Sequence, residues 1–468
     1  MLSFLRAATL LLPFLSLPAA GDEKPNIILI MADDLGFGDV RCFNPKTPVQ
    51  TPALDAMASA GMKWNRFYAA APVCSPTRAS ALTGRHPYRL GIPFANTGHL
   101  KPEEETLAEI LKREGYTTGH FGKWHLGTLT TEREDANRAK PGATEHFSPP
   151  WSNGFDVCFS TESKVPTWDP MLKPSAQSNK KGWKTIEDKS SAEPFGTYYW
   201  NEHGEVVTDN LEGDDSRVIM DRVVPFIEGA AEAHTPFFSV IWFHTPHLPV
   251  VAGPEYAALY PDHPLFEQNY YGCITAMDEQ IGRLRDTLKR LKIQQSTMIW
   301  FCSDNGPEGS RQSPGSTAGL SGRKRSLLEG GIRVVGLLEW PERIEAGSET
   351  DFPAVTSDYL PTVLDAIGAP VPPRPLDGIS LLPVIDGNAS IRHSPIGFQS
   401  QQQQAWMTQD YKIYSSNGGR SWKMFHLPTD PEETLDLAAK HPERLQPMIE
   451  AFDAWSASCK KSEQGGDY

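Results

Sequence analysis

The 468-residue chain is 39% hydrophobic, 22% charged and 10% aromatic, which excludes a disordered, collagen-like or coiled-coil protein. With 58 acidic against 44 basic groups its formal net charge is −14. No long-range electrostatic grip on nucleic acid is expected, whereas a local basic pocket for an anion is compatible with that balance.

Arg6 precedes an apolar run over residues 7–17 and the small-residue exit Pro18-Ala19-Ala20-Gly21, the pattern of a secretory signal over residues 1–21. The run is short of the roughly 20 residues that span a bilayer, and no later segment is long and apolar enough to do so. The expectation is an exported protein without a membrane span, in the periplasm, the extracellular space or the lysosome. Six cysteines (Cys42, Cys74, Cys158, Cys273, Cys302 and Cys459) are scattered without zinc-ligand spacing.

Residues 26–31 read as a strand buried on both faces. Thr51 and Pro52 open a helix stopped by Gly61, with Leu54, Met57 and Ala58 turned inward. A second helix is expected over 105–114, with Leu107, Ile110 and Leu111 on its apolar side. The segment 130–216 is polar, Pro-rich and aromatic (Trp151, Trp168, Trp183, Tyr198, Tyr199, Trp200), and reads as an insertion over one end of the sheet. Two further core strands, 237–243 and 298–302, flank a long helix over 270–291 with apolar Ile274, Met277, Ile281, Leu284 and Leu288. This alternation predicts an α/β chain with a mainly parallel sheet covered by helices on both faces. The stretch 371–375 is a stiff connector. Beyond it, strand-like 405–414 and 422–427 and a helix over 445–455 predict a small C-terminal α+β unit. The expected division is a main domain over 22–375 and a subdomain over 376–468.

The chemistry lies just past the strand ends. One strand runs into Asp33-Asp34, another into His244 and His247, a third into Asp304-Asn305, and His120-Phe121 leads to Lys123 and His125. Ligands of an open parallel sheet bind beyond the carboxyl ends of its strands, so these groups are expected on one rim. Asp33, Asp34, Asp304 and Asn305 form an all-oxygen set suited to Ca²⁺ or Mg²⁺. In Pro72-Val-Cys74-Ser75-Pro76-Thr77-Arg78, Ser75 is read as the cap of a helix starting at Pro76. Cys74 then lies at a helix N-terminus, where an anion is favoured, and Arg78 lies within a turn of it. The basic cluster Arg85-His-Pro-Tyr-Arg89 either meets an acidic substrate or is a solvated helix end.

Cys74-Ser-Pro76-Thr-Arg78-Ala-Ser80 resembles the Cys-x-Pro-x-Arg signature of type I sulfatases, whose Cys is oxidised to formylglycine. Gly122-Lys-Trp-His-Leu-Gly127 is similar to the second sulfatase signature, and Ser303-Asp-Asn-Gly306 and Lys324…Glu329-Gly-Gly-Ile-Arg333 match later blocks in order. The resemblance runs from Pro25 to a closing region at 425–437. It departs at Ser321 and Val335, where the family usually has Arg and Pro, and the 130–216 segment matches no motif.

The resemblance implies an arylsulfatase-like enzyme of alkaline-phosphatase-like α/β fold with a smaller C-terminal subdomain. It implies one Ca²⁺ held by Asp33, Asp34, residue 74, Asp304 and Asn305. It also implies a hydrated formylglycine from Cys74 that attacks sulfur and forms a covalent sulfo-enzyme, made by a separate formylglycine-generating enzyme. Arg78 and Lys123 would orient the diol, His125 would be the base of the second step and Lys324 would bind a sulfate oxygen. His247, whose His-x-Pro spacing fits the family better than His244, would bind sulfate or protonate the leaving oxygen. The expected substrate is a sulfated carbohydrate or an aryl sulfate, with the aromatic residues of 130–216 either stacking on sugar or packing among themselves. The alternatives are a phosphodiesterase or phosphonate hydrolase on the same scaffold, and an unmodified, non-catalytic secreted binding protein.

Overall fold

The computed structural model describes residues 24–176 and 182–468; the proposed signal at 1–21 lies outside the described residues. Nine strands form the central sheet: β1 (Asn26–Ala32), β2 (Met62–Trp64), β3 (Thr117–Lys123), β4 (Val157–Thr161), β5 (Trp200–Asn201), β6 (Phe237–Trp242), β7 (Thr297–Ser303), β8 (Gly336–Glu339) and β9 (Ser348–Thr350). Their order is β9-β2-β8-β7-β1-β6-β3-β4-β5. The five contiguous strands β7-β1-β6-β3-β4 are mutually parallel. β8 and β5 run antiparallel to the strands that they join at the two margins of that block.

The continuous apolar runs have a simple cause. Side chains alternate across a strand, so Ile27, Leu29 and Met31 enter one core while Ile28, Ile30 and Ala32 enter the other. Helices cover both faces: α1 (Pro52–Ala60), α4 (Asp215–Glu232) and α5 (Leu265–Leu291) on the second, and α3 (Leu107–Arg113) and α7 (Tyr359–Ile367) on the first. α5 buries the expected Ile274, Met277, Ile281, Leu284 and Leu288, but starts five residues before the expected 270.

Thr51 stands at the head of α1 without capping it by its side chain; its hydroxyl accepts from the Arg41 amide instead. The open amides of Ala53 and Leu54 are taken, both at 2.8 Å, by the carboxylate of Asp278 on α5. That carboxylate holds the end of one helix from the side of another. The helix that Cys74 opens, α2, runs Cys74–Thr83 with Val73 before it. Ser75 therefore does not cap it, and its hydroxyl is buried with no hydrogen-bond partner among the described residues.

The segment 130–216, read as an insertion over the sheet, instead supplies part of it. β4 extends the parallel block beside β3, and β5 closes that edge. The C-terminal region holds a four-stranded antiparallel sheet, β10 (Ile396–Ser400), β11 (Gln403–Met407), β12 (Tyr411–Ser415) and β13 (Lys423–His426), and the closing helix α8 (Pro442–Glu463). The single strand expected over 405–414 is a hairpin, because residues 408–410 turn back on themselves.

Candidate active site

Register decides what meets at the rim. Ala32 pairs with Ser303, Met31 and Gly122 both pair with Trp242, and Lys123 pairs with Thr161. Five parallel strands thus end level. One step further along the chain come Asp33, Asp304, Phe243 and Glu162, with Lys123 the last residue of β3.

Cys74 opens α2, and its Sγ lies 3.5 Å from Asp33 Oδ1. Burial, with Asp33 next, pushes the thiol up to about 12. Lys123 Nζ donates to Asp33 Oδ2 at 2.6 Å. Burial opposes the charge on Asp33, but Lys123, His247, Arg78 and Lys324 outweigh it and hold the carboxyl well below its usual range. Arg78 is fully buried. It donates to Asp304 Oδ2 through Nη2 at 2.7 Å and to the Lys123 carbonyl at 3.0 Å, and its guanidinium lies over Trp242. Lys324 Nζ sits 2.6 Å from Asp34 Oδ1. His247 gives Nδ1 to the Leu248 carbonyl at 2.7 Å, which leaves Nε2 3.7 Å from Asp34.

Cys74, Lys123, His125, His247 and Lys324 line one cavity of about 150 Å³. Arg78, Asp304 and Asn305 belong to the layer beneath. The atoms offered by Asp33, Asp34, Cys74 and His247 fall within 4.8 Å of one another. Asp304 Oδ1 accepts from the Asp34 amide at 3.1 Å, and Asn305 Nδ2 donates to Asp34 Oδ1 at 2.7 Å. Asn305 Oδ1 is buried with no partner among the described residues. Burial raises Asp34 and pushes Asp304 up to about 7, with neighbouring carboxylates adding to it. Three buried carboxylates and an open amide oxygen are donors of the kind that suits a hard dication. Zinc, which prefers His and Cys, fits them poorly.

One further expectation fails in the geometry, and one open alternative is decided by it. The cluster 85–89 is not a solvated helix end and does not line the Cys74 cavity: Arg85 pairs with Asp467, and Arg89 with Asp377 at 2.8 Å. The aromatic residues of 130–216 pack within the protein rather than around the site. Tyr199 stacks on Phe159 at 3.9 Å, Trp183 meets Phe266, and Trp200 and Trp151 join the core. Phe94 is the one Phe, Tyr or Trp among the described residues that line the cavity. His244 is buried away from the cavity, held by Asp215 and Thr161, both at 2.8 Å.

Sequence reasoning missed Asn96, Asn137, Ser163, Lys164 and Arg325, which also line the cavity. For Ser163 and Lys164 a signal existed. They come directly after Val-Cys-Phe-Ser-Thr, a short β-rich run, and the residue Glu162, in the segment set aside as an insertion. Ser321, the departure nearest the site, donates to the Glu432 carbonyl at 2.6 Å, and Lys324 keeps its place on Asp34.

The sulfatase family model matches residues 25–369. Arylsulfatase G of Rattus norvegicus is 32% identical over 403 residues, covering 82% of this chain and 73% of that protein. Steryl-sulfatase of Rattus norvegicus is 30% identical over 459 residues, covering 86% and 77%. The solved structure of Ps i-CgsB in complex with k-i-k-neocarrahexaose superposes with a TM-score of 0.79 at 26% identity, over 94% of each chain. Similarity of this extent carries the alkaline-phosphatase-like α/β fold across nearly the whole chain.

Proposed function

The chain belongs to the sulfatase family and is a sulfuric ester hydrolase, and from that premise we propose that it cleaves a sulfated carbohydrate using a formylglycine made from Cys74 and one Ca²⁺. The observation that carries the mechanism is the single cavity shared by Cys74, Lys123, His125, His247 and Lys324. Asp33, Asp34, residue 74, Asp304 and Asn305 would hold the Ca²⁺, which supplies Lewis-acid polarisation of the sulfate oxygens. Hydrated formylglycine at residue 74 would supply two hydroxyls on one carbon, one as the nucleophile and one to expel sulfate.

The other roles fall to the chain. Arg78, fixed by Asp304, and Lys123, fixed by Asp33, orient residue 74. Lys324 and His247 Nε2 face the sulfate oxygens and the leaving alcohol. The cavity is smaller than the several hundred Å³ that enclose a whole drug-sized ligand. It takes the sulfate and its immediate attachment, with the rest of the substrate lying outside. The neocarrahexaose in the Ps i-CgsB complex supports a sugar as the substrate's body. Phosphorus-ester hydrolases on this scaffold usually take additional His ligands for a second metal, and His244 is committed to Asp215 and Thr161. Turnover of aryl sulfate against aryl phosphate, together with desulfation of a polysaccharide panel, tests this reading. Preference for phosphate sinks the reaction class, and activity confined to small aryl sulfates sinks the sugar.

Lys164 sharpens the substrate. It is half-buried, and burial, followed by the neighbouring Lys123 and Lys324, holds its pKa down; no salt bridge engages it among the described residues. A spare cation at the mouth suits a substrate with a second anionic group. Lys164→Ala is expected to raise KM for a multiply sulfated oligosaccharide about tenfold, on the scale of one charge-assisted hydrogen bond. The kcat on a small aryl sulfate stays within about twofold on the same grounds.

The dication also sets a pH dependence. Asp304 titrates near 7 in the folded chain against an ordinary 3.8. Its contribution is present below the ordinary value and is lost as pH rises toward and through 7. Asp34 shifts in the same direction, whereas Asp33 is shifted downward and acts only below the ordinary value. Chelator-treated protein is therefore expected to lose melting temperature from pH 5 to pH 8. Added Ca²⁺ should restore more at pH 8 than at pH 5. An equal gain at both values contradicts binding through these carboxylates.

A further inference from the structure

Resting on the sulfatase reading, we infer that Asn96 is a positioning residue that fixes the tautomer of His125 and leaves His125 Nδ1 as the base of the second half-reaction. His125 Nε2 lies 2.9 Å from Asn96 Oδ1. A carbonyl oxygen only accepts, so Nε2 carries the proton. Asn137 Nδ2 reaches the same oxygen at 3.3 Å and Ser163 Oγ at 3.0 Å. With Asn137 turned this way the contact orients the Asn96 amide, since turning Asn96 over would set one NH₂ against another.

With Nε2 protonated, Nδ1 keeps its lone pair. This atom is buried with no hydrogen-bond partner among the described residues, and the ring lines the cavity of Cys74. A buried acceptor left open is costly, and Nδ1 is the one ring nitrogen free to take a proton. Asn96 and His125 both take positive φ, 61° and 58°, a region sparsely used by side-chain-bearing residues. Both are aimed by backbone that the fold holds in place. The charged groups facing His125 are Lys123, Arg78 and Arg138, which oppose imidazolium, and Asp33, which favours it.

In this step the sulfo group starts bonded to one oxygen of hydrated residue 74. The proton of the second hydroxyl passes to Nδ1, and the electron pair of that O–H bond re-forms C=O. The C–O bond to the sulfo group then breaks, and sulfate leaves with its electron pair.

The test uses full-length protein from a host that oxidises Cys74. Asn96→Ala is expected to release one equivalent of aryl alcohol in a burst, then to turn over roughly ten- to hundredfold more slowly than wild type. The sulfo-enzyme should then accumulate in the intact mass spectrum. Asn96→Asp still accepts from Nε2 and so rescues turnover, but its charge favours imidazolium and moves the acid limb of the kcat profile to higher pH. Independently of turnover, two-bond ¹H–¹⁵N spectra, with His125 assigned through His125→Gln, should show Nε2–H in wild type and a tautomer mixture in Asn96→Ala. An Nδ1–H ring in wild type, or a first alcohol release slowed as much as the steady state, overturns the inference. Wild type with a bare thiol at residue 74 and no burst overturns the formylglycine mechanism instead, and the tautomer measurement still decides the role of Asn96.

Discussion

Cys74→Ala abolishes turnover, by roughly 10⁴-fold or more on the scale of a lost nucleophile, while Cys74→Ser stops after one. The reason starts with the unmodified side chain. A thiol pushed up to about 12 by burial and Asp33 is thiolate in only about one molecule in 10⁵ at pH 7. It is therefore a poor nucleophile as it stands. Serine offers one hydroxyl, so a sulfo group transferred to it has no neighbouring O–H to expel it. The expected record for Cys74→Ser is at most one equivalent of alcohol and a persistent mass gain of one sulfo group. Both variants keep the buried volume nearly unchanged and should melt close to wild type. Repeated turnover by Cys74→Ser, or full activity in protein whose peptide across residue 74 carries an intact thiol, removes formylglycine from the mechanism.

The groups around Cys74 were legible because of how parallel sheets are made. Strands buried on both faces read as unbroken apolar runs. The polar residues that end such runs stand out, and register brings Asp33, Lys123 and Asp304 level without further information. β4 was missed because Val-Cys-Phe-Ser-Thr is only five residues long and lies within polar, aromatic sequence. With it went Ser163 and Lys164. Asn96 gives no signal at all, since its role comes from a loop fold that sets it against His125. The failed cap at Thr51 and the true one at Asp278 share one cause. Local sequence proposes a partner for a helix end, whereas the packed structure supplies it from a residue more than two hundred positions away. Aromatic content left two readings open, and burial decides between them: rings in a long irregular segment bury their area against the nearest core, and here that core was the protein's own.

Lys412→Met is expected to cost about 3–5 kcal/mol of stability, the scale of a buried charge left without its partner, and to lower kcat/KM although residue 412 lies outside the cavity. Lys412 on β12 is fully buried between Glu329 and Glu433, 2.9 Å from each. Glu329 also accepts from the Tyr68 hydroxyl at 2.9 Å, and its amide donates to Glu433 at 2.7 Å. Glu329 opens the short helix α6 (Glu329–Ile332), five residues beyond Lys324. The intervening loop is gripped from β11, where Gln403 accepts from the Leu327 amide at 2.9 Å and donates to the Arg325 carbonyl at 2.7 Å. The C-terminal sheet is thus the wall against which the Lys324 loop is set. Burial pushes Glu433 up to about 7, so its contribution is lost as pH rises through that value. Without Lys412 the penalty of its charge grows, and the gap to wild type should widen from pH 5 to pH 8. Adding Glu433→Gln to Lys412→Met removes one stranded charge and should recover part of the loss, a coupling visible in a double-mutant cycle. A single variant within about 1 kcal/mol of wild type, with KM for sulfate ester unchanged, means that the loop holds Lys324 without this support.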